Sequence, residues 1–291
     1  MLRAELASRG MDVDAIQVHD APDVLTATDT PVDAMRKKPR NSIAVAMELV
    51  AQKKADAFVS AGNTGLVVAT ATVGLRRLEG IKRPGIAVTI EGASGPLIII
   101  DVGANPQPKP VHLLHYGIMG SAYYEDTFGK KSPRVGLMNI GSEDSKGSPT
   151  VVQSGELLRA APINFVGNIE GVDVFDGECD VIVCDGFAGN VLIKVSEGLA
   201  EYIIKSIATL MGKCGVPEEM RRNVLGEVMR KTDYSEYGGA LLLGVAGIVT
   251  ICHGRSGGAA ISNAIRFAVK AVGADLNEHI VTSARSMTTS S

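Results

Sequence analysis

Tryptophan is absent from the 291 residues, and tyrosine and phenylalanine number only six each. Proteins that hold single-stranded nucleic acid stack bases on aromatic side chains, so this composition speaks against a stacking platform. Neither sign of charge prevails: 29 Lys and Arg stand against 32 Asp and Glu, a net charge of −3. That balance argues against nucleic acid held by bulk positive charge. Cysteine is sparse. Cys179, Cys184, Cys214 and Cys252 form no CxxC pair, so no zinc ribbon, thioredoxin-like site or disulfide framework is signalled. They read as reduced thiols of a cytoplasmic protein. Long apolar runs are missing too. Uncharged stretches such as Gly238–Cys252 fall short of the ~20 residues of a membrane-spanning helix. The opening MLRAELASRG carries Glu5 and no apolar segment, so it does not read as a signal peptide.

What the chain has is glycine, 33 residues of it, set in a rhythm of short β-branched runs and helical patterns. The runs that predict strands are Ala57–Ser60, Ile86–Ile90, Leu97–Asp101, Arg134–Asn139, Ile163–Gly167, Asp180–Asp185 and Gly247–Cys252. Several are apolar without alternation, as in strands covered on both faces. Between them lie helices. One is capped at Ser42 and buries Ile43, Met47 and Val50; another opens at Asn190 with Leu192, Val195, Leu199 and Ile203 at steps of three or four. This alternation predicts a three-layer α/β/α domain over 1–291, doubly wound about a mostly parallel sheet. Residues 213–237 break the rhythm. They are rich in charge, yet Met220, Val224, Leu225 and Val228 recur at helical spacing. They read as an amphipathic helical excursion, either a dimer arm or a membrane-touching element.

The glycines gather where strands end. AFVSAGNTG runs from a strand into Gly62, Asn63, Thr64 and Gly65, then a helix. Glycine lets backbone approach an anion, and the N–H groups of a first helical turn point at it. The turn is not GxxxxGK[ST], so a nucleoside triphosphate is not indicated, and no GxGxxG supports a nicotinamide dehydrogenase. Four more strands end similarly: at Asp101, Gly103 and Asn105; at Asn139, Gly141 and Lys146; at Asp185, Gly186, Gly189 and Asn190; and at His253, Gly254, Ser256 and Gly257. Ligands of open α/β sheets bind outside the carboxyl ends of the strands, so all five turns are expected around one anion crevice. Asn190 and Lys194, four apart, share a helix face, which puts a cation within reach of that crevice. His112 and His115, spaced HxxH, lack a third metal ligand nearby and read as core residues. Arg36, Lys37, Lys38 and Arg40 form a basic run able to meet an acidic protein.

The turns SAGNTG, DVGAN, NIGSEDSKG, NFVGNIEG, CDGFAGNV and HGRSGGAAISNAI, with the lead-in TDTPVDAMRKKPRNSIAVAMELVAQKKADAFVSAGNTG, resemble in order those of the PlsX-type phosphate acyltransferases. The resemblance spans essentially the whole chain. It implies an isopropylmalate-dehydrogenase/phosphotransacetylase-like fold and transfer of a fatty acyl group from acyl carrier protein to inorganic phosphate, for phospholipid synthesis. It also implies a cytoplasmic homodimer in peripheral contact with the membrane, with no nucleic acid partner, cofactor or metal. One departure stands out. The family opens with a strand ending in Asp-x-Met-Gly-Gly-Asp, and MLRAELASRGMDVDAIQVHD has no match. Met1–Arg9 reads as a helix and His19 as the end of a following strand. The β/α elements expected before them come to roughly 40 residues, so the chain reads as short of the family's first strand.

In that reaction phosphate is the nucleophile, and the protein positions it and stabilises the oxyanion. Phosphate is assigned to Gly62, Asn63, Thr64 and Gly65, with Lys146 and Lys194 supplying charge. Asn105, Asn139 and Asn190 are the candidate oxyanion donors. His253 is the candidate proton donor to the leaving thiolate, and Asp185 an orienting group. Two alternatives stay open: a phosphotransacetylase-like short-chain acyltransferase, and an inactive truncated subunit that binds the carrier protein.

Overall fold

The computed structural model describes residues 2–288 apart from Ala15, Ala27 and 233–236. Eight strands form one sheet: β1 (Ala57–Ser60), β2 (Gly85–Gly92), β3 (Gly95–Ile100), β4 (Arg134–Met138), β5 (Asn164–Ile169), β6 (Val181–Val183), β7 (Ala240–Leu243) and β8 (Ile248–Ile251). Their spatial order is β1-β8-β7-β2-β3-β6-β4-β5. The apolar runs are continuous because both faces are covered. Ile98, Ile100, Val181, Val183, Leu241 and Leu243 enter one core, while Leu97, Ile99, Ile182, Ala240 and Leu242 enter the other. Successive side chains of a strand point to opposite faces, so one sequence run feeds two cores. Each such residue, fully buried, contributes about 1.5–3 kcal/mol.

The first core is covered by α5 (Pro110–Phe128), α6 (Pro149–Ala160), α9 (Gly258–Gly273) and α10 (Leu276–Thr288). The second is covered by α2 (Pro31–Lys37), α3 (Ser42–Ala51), α4 (Thr64–Gly74) and the start of α7 (Gly186–Lys213). This is the expected three-layer α/β/α arrangement. As expected, Ile43, Met47 and Val50 are buried on α3.

The strands do not all run one way. The pairs β3–β6, β6–β4, β4–β5 and β1–β8 are parallel, whereas β2–β3, β2–β7 and β7–β8 are antiparallel. The carboxyl ends of β1 and β8 therefore face the opposite edge of the sheet from those of β3, β4 and β6. The single ring of five turns expected from sequence is thus two groups.

Local details differ as well. Asn41, not Ser42, caps α3, its side-chain oxygen accepting from the Ala44 N–H at 3.0 Å. Asp185, not Asn190, caps α7, which puts Asn190 in the second turn. The helix expected over Met1–Arg9 is α1 (Leu2–Ser8), with Met1 outside the described residues. Among the described residues no strand lies between α1 and Pro31, so His19 lies in irregular chain. β7 went unread inside the uncharged Gly238–Cys252 stretch. The excursion over 213–237 is α8 (Glu218–Thr232) packed against α7; 233–236 lie outside the described residues.

Candidate active site

Asp101 organises one end of the site. It ends β3 with no exposed surface. Its Oδ1 accepts from the N–H groups of Ile86, Gly103 and Ala104, and its Oδ2 from that of Asn105 at 2.7 Å. Burial pushes its carboxyl pKa up, with the four backbone donors pulling the other way. The network pins the DVGAN turn to the start of β2. Asn105 Nδ2 donates to the Pro84 carbonyl and to Tyr116 Oη, both at 2.7 Å. Both amide hydrogens are spoken for, so Asn105 is a brace rather than an oxyanion donor.

Against this turn sits the start of α7. Asp185 Oδ1 accepts from the Phe187 and Ala188 N–H groups at 2.9 and 2.8 Å, satisfying donors that a helix end leaves orphaned. The Gly186 N–H donates to the Asn105 carbonyl. A Cβ at Gly186 would stand 2.9 Å from the Asn105 nitrogen and from Asp101 Oδ2, and one at Gly189 would overlap the Asp101 carbonyl oxygen. These glycines serve close backbone approach. Asn190 Nδ2 then donates to the Val102 carbonyl at 3.1 Å, leaving its second hydrogen for a ligand.

The other end holds the β1 and β8 turns. Asn63 caps α4 by accepting from the Leu66 N–H at 3.0 Å, with Gly62, Thr64 and Gly65 exposed beside it. The turn after β8 lies alongside: a Cβ at Gly254 would stand 3.9 Å from the Ala61 carbonyl oxygen. His253 Nδ1 accepts from the Arg255 N–H at 3.1 Å, so the neutral ring carries its proton on Nε2, a donor. His253, Arg255 and Ser256 line a groove of about 680 Å³ with Glu197, Glu201 and Met229.

Helix α7 connects the two ends. Asn190, Lys194, Glu197 and Glu201 fall at i, i+4, i+7 and i+11, one face of the helix. Asn190 touches the Asp101 turn, and Glu197 lines the groove with His253. The two are about 10 Å apart along the axis, with exposed Lys194 between them. The remaining candidates stand at the end of β4. Asn139 Nδ2 donates to the Lys146 carbonyl and its Oδ1 accepts from the Ile140 N–H, so it closes the loop that carries exposed Lys146.

Sequence reasoning did not single out Glu197, Glu201 or Arg255, and placed Asp101 and Ser256 in crevice turns without giving either a role. The two glutamates were legible as continuations of the Asn190–Lys194 face. Asp101 was not, because its importance rests on Ile86, brought in by an antiparallel neighbour. The basic run is largely self-neutralised: Lys37 pairs with Asp33, Lys38 with Asp29, and Arg40 with Asp20. His115 is buried, its Nδ1 accepting from the Lys82 N–H, and His112 Nδ1 accepts from the Lys109 N–H.

Solved phosphotransacetylases share this three-layer fold. A Streptococcus pyogenes phosphotransacetylase structure matches 93% of the chain and 83% of its own length, with TM-score 0.62 and 14% identity. One from Staphylococcus aureus matches 98% and 83%, with TM-score 0.55 and 15% identity. The chain belongs to the fatty acid synthesis protein family, whose model matches residues 3–279. Among curated relatives, the phosphate acyltransferase of Desulforamulus reducens is 45% identical over 259 residues, 88% of this chain and 78% of the relative. That of Pelotomaculum thermopropionicum is 44% identical over 289 residues, 98% of this chain and 84% of the relative.

Proposed function

We propose that the protein transfers a fatty acyl group from the thioester of acyl carrier protein to inorganic phosphate, releasing an acyl phosphate for phosphatidic acid synthesis. The observation that carries this reading is the single face of α7 that sets Lys194 between Asn190 and the groove of His253. Phosphate sits at the Gly62–Thr64 turn, where the head of α4 offers N–H groups to an anion. Lys194 supplies positive charge, whereas Lys146, on the loop after β4 at the opposite edge of the sheet, stands outside this seat. A phosphate oxygen attacks the thioester carbonyl, and Asn190 Nδ2 donates to the oxyanion that forms. The C–S bond then breaks, and the thiolate, hydrogen-bonded by His253 Nε2–H, takes up the proton that hydrogenphosphate gives up as the acyl phosphate forms. Asp185 and Asp101 hold the groups in place and touch no reacting atom. The chemistry calls on no cofactor or metal.

The protein works as a cytoplasmic homodimer in peripheral contact with the membrane. Supporting this, α7 exposes Val195, Leu199 and Tyr202, and α8 exposes Met220, Val224 and Met229, while no described helix is long and apolar enough to cross a membrane.

Incubation with acyl carrier protein thioester, with and without phosphate, tests the reaction. Acyl phosphate and free carrier thiol are expected only when phosphate is present. Thiol release at the same rate without phosphate overturns the reading, and turnover of acetyl-CoA alone assigns a short-chain enzyme instead. Lys194→Ala is expected to lower kcat by about a hundredfold or more, the scale of losing one stabilising group.

A further inference from the structure

Four cations and a histidine crowd a short stretch of surface beside the loop that Asn105 braces. Arg77, Lys82, Arg83, Lys109 and His112 line a cavity of about 650 Å³. A second of about 470 Å³ shares Thr72, Arg77 and Lys82 with it and adds Arg76. Among the described residues no carboxylate pairs with Arg76, Arg77, Lys82, Arg83 or Lys109. The nearby Glu79 is turned to Arg285 at 2.5 Å. Elsewhere the chain neutralises its basic clusters, as Asp29 and Asp33 do for Lys38 and Lys37. Here it does not. Like charges held together without a counter-charge repel one another, a cost that a bound anion removes.

The frame around the cations is fixed. Arg77 Nη1 donates to the Lys82 carbonyl at 2.6 Å, folding the loop back on itself. The Lys82 N–H is tied to His115, and Pro84, next to Arg83, is held by Asn105. Lys109 and His112 belong to the first turn of α5, whose N-terminal end also favours an anion.

We propose that this cavity is a binding site for a phosphate group, separate from the groove at His253. A guanidinium fork, two ammonium groups and a ring N–H suit a multiply charged oxyanion. The concavity fits a small phosphorylated ligand better than a protein surface. Its source is either the free ion or a phosphate ester such as the phosphopantetheine arm of a thioester donor. The same loop that frames the cavity carries Pro84, the partner of Asn105, so a phosphate held here lies next to the DVGAN turn.

His112 reports occupancy. Burial, then Arg83 and Lys109, lower its pKa, and a bound anion raises it again. The test follows the His112 ring by NMR in the intact protein, with inorganic phosphate and 4′-phosphopantetheine added at constant ionic strength. The titration midpoint is expected to rise with one or both. A response at lower ester concentration assigns the ester, and an equal response assigns the ion. Arg83→Gln with Lys109→Gln is expected to weaken binding about tenfold or more, as loss of a charged hydrogen bond does. Lys82→Gln gives a second, independent weakening should the double variant unfold. The proposal fails if chloride reproduces the shift, if the variants bind unchanged, or if only an acidic protein moves the midpoint. The readout is binding rather than turnover, so it is independent of whether acyl transfer is the reaction.

Discussion

Four backbone N–H groups converge on Asp101, and only an acceptor of that size and charge satisfies them all. Asp101→Ala orphans those donors in a fully buried position, so a loss of about 3 kcal/mol or more is expected in urea unfolding. Asp101→Asn keeps one acceptor oxygen and is expected to lose less. A near-native midpoint for the alanine variant would show that the turn holds without it. His115 makes a pH-dependent contribution. Burial, then His112 and Lys82, lower its pKa to about 4, below the ~6.5 of an unfolded chain. Between those values the unfolded state binds the proton and the folded state does not, so stability falls as pH drops through that window. The expected loss is about 2 kcal/mol between pH 7 and pH 5. Chemical denaturation at both pH values measures it, and His115→Asn removes the dependence. Asp180 adds to the acid sensitivity lower down. Burial opposes its ionised form, but Arg134 and Lys130 outweigh it and hold the carboxyl below its ordinary value. That contribution is present above the unfolded carboxylate range and fades as pH falls below about 4.

At the scale of elements, α7 does two jobs: its first turns dock against the β3 turn, and its later turns leave the sheet with α8. The docking depends on having no side chain at Gly186 and Gly189. Gly189→Ala pushes α7 off the Asp101 carbonyl, and is expected to cost about 1–3 kcal/mol, as overpacking does. It should also lower activity through Asn190 and Lys194. Wild-type rates and stability in that variant would mean that the helix shifts freely. At α4, Asn63→Ala removes the cap, worth about 1 kcal/mol in thermal unfolding, and with it part of the proposed phosphate seat. Most elements were legible in the sequence because apolar period and turn chemistry agree along them. The exceptions have local causes. Asn41 and Ser42 are both good caps, and only the chain's path decides between them. Gly186 and Gly189 read as loop glycines until Asp185 is seen to cap a helix that includes them.

For the whole molecule, exposed apolar side chains on α7 and α8 are the feature a lone chain leaves unexplained. In the proposed dimer those of α7 are covered, and those of α8 are left to meet the membrane. Leu199→Glu combined with Tyr202→Glu is therefore expected to give monomers by light scattering, and an unchanged dimer would place the interface elsewhere. The sequence by itself determined the layered α/β class, the sites of most strands, and which turns are rich in glycine and polar groups. Those properties are local, set by the period of apolar residues and by backbone freedom over a few positions. Tertiary structure alone decided which way each strand runs, because two antiparallel neighbours of β2 and the β7–β8 pair reverse the sheet. A glycine-rich turn looks the same at either end of a sheet. Only the pairing separates the Asn63 and His253 turns from the Asp101 turn, and only the path of α7 joins them again through Lys194.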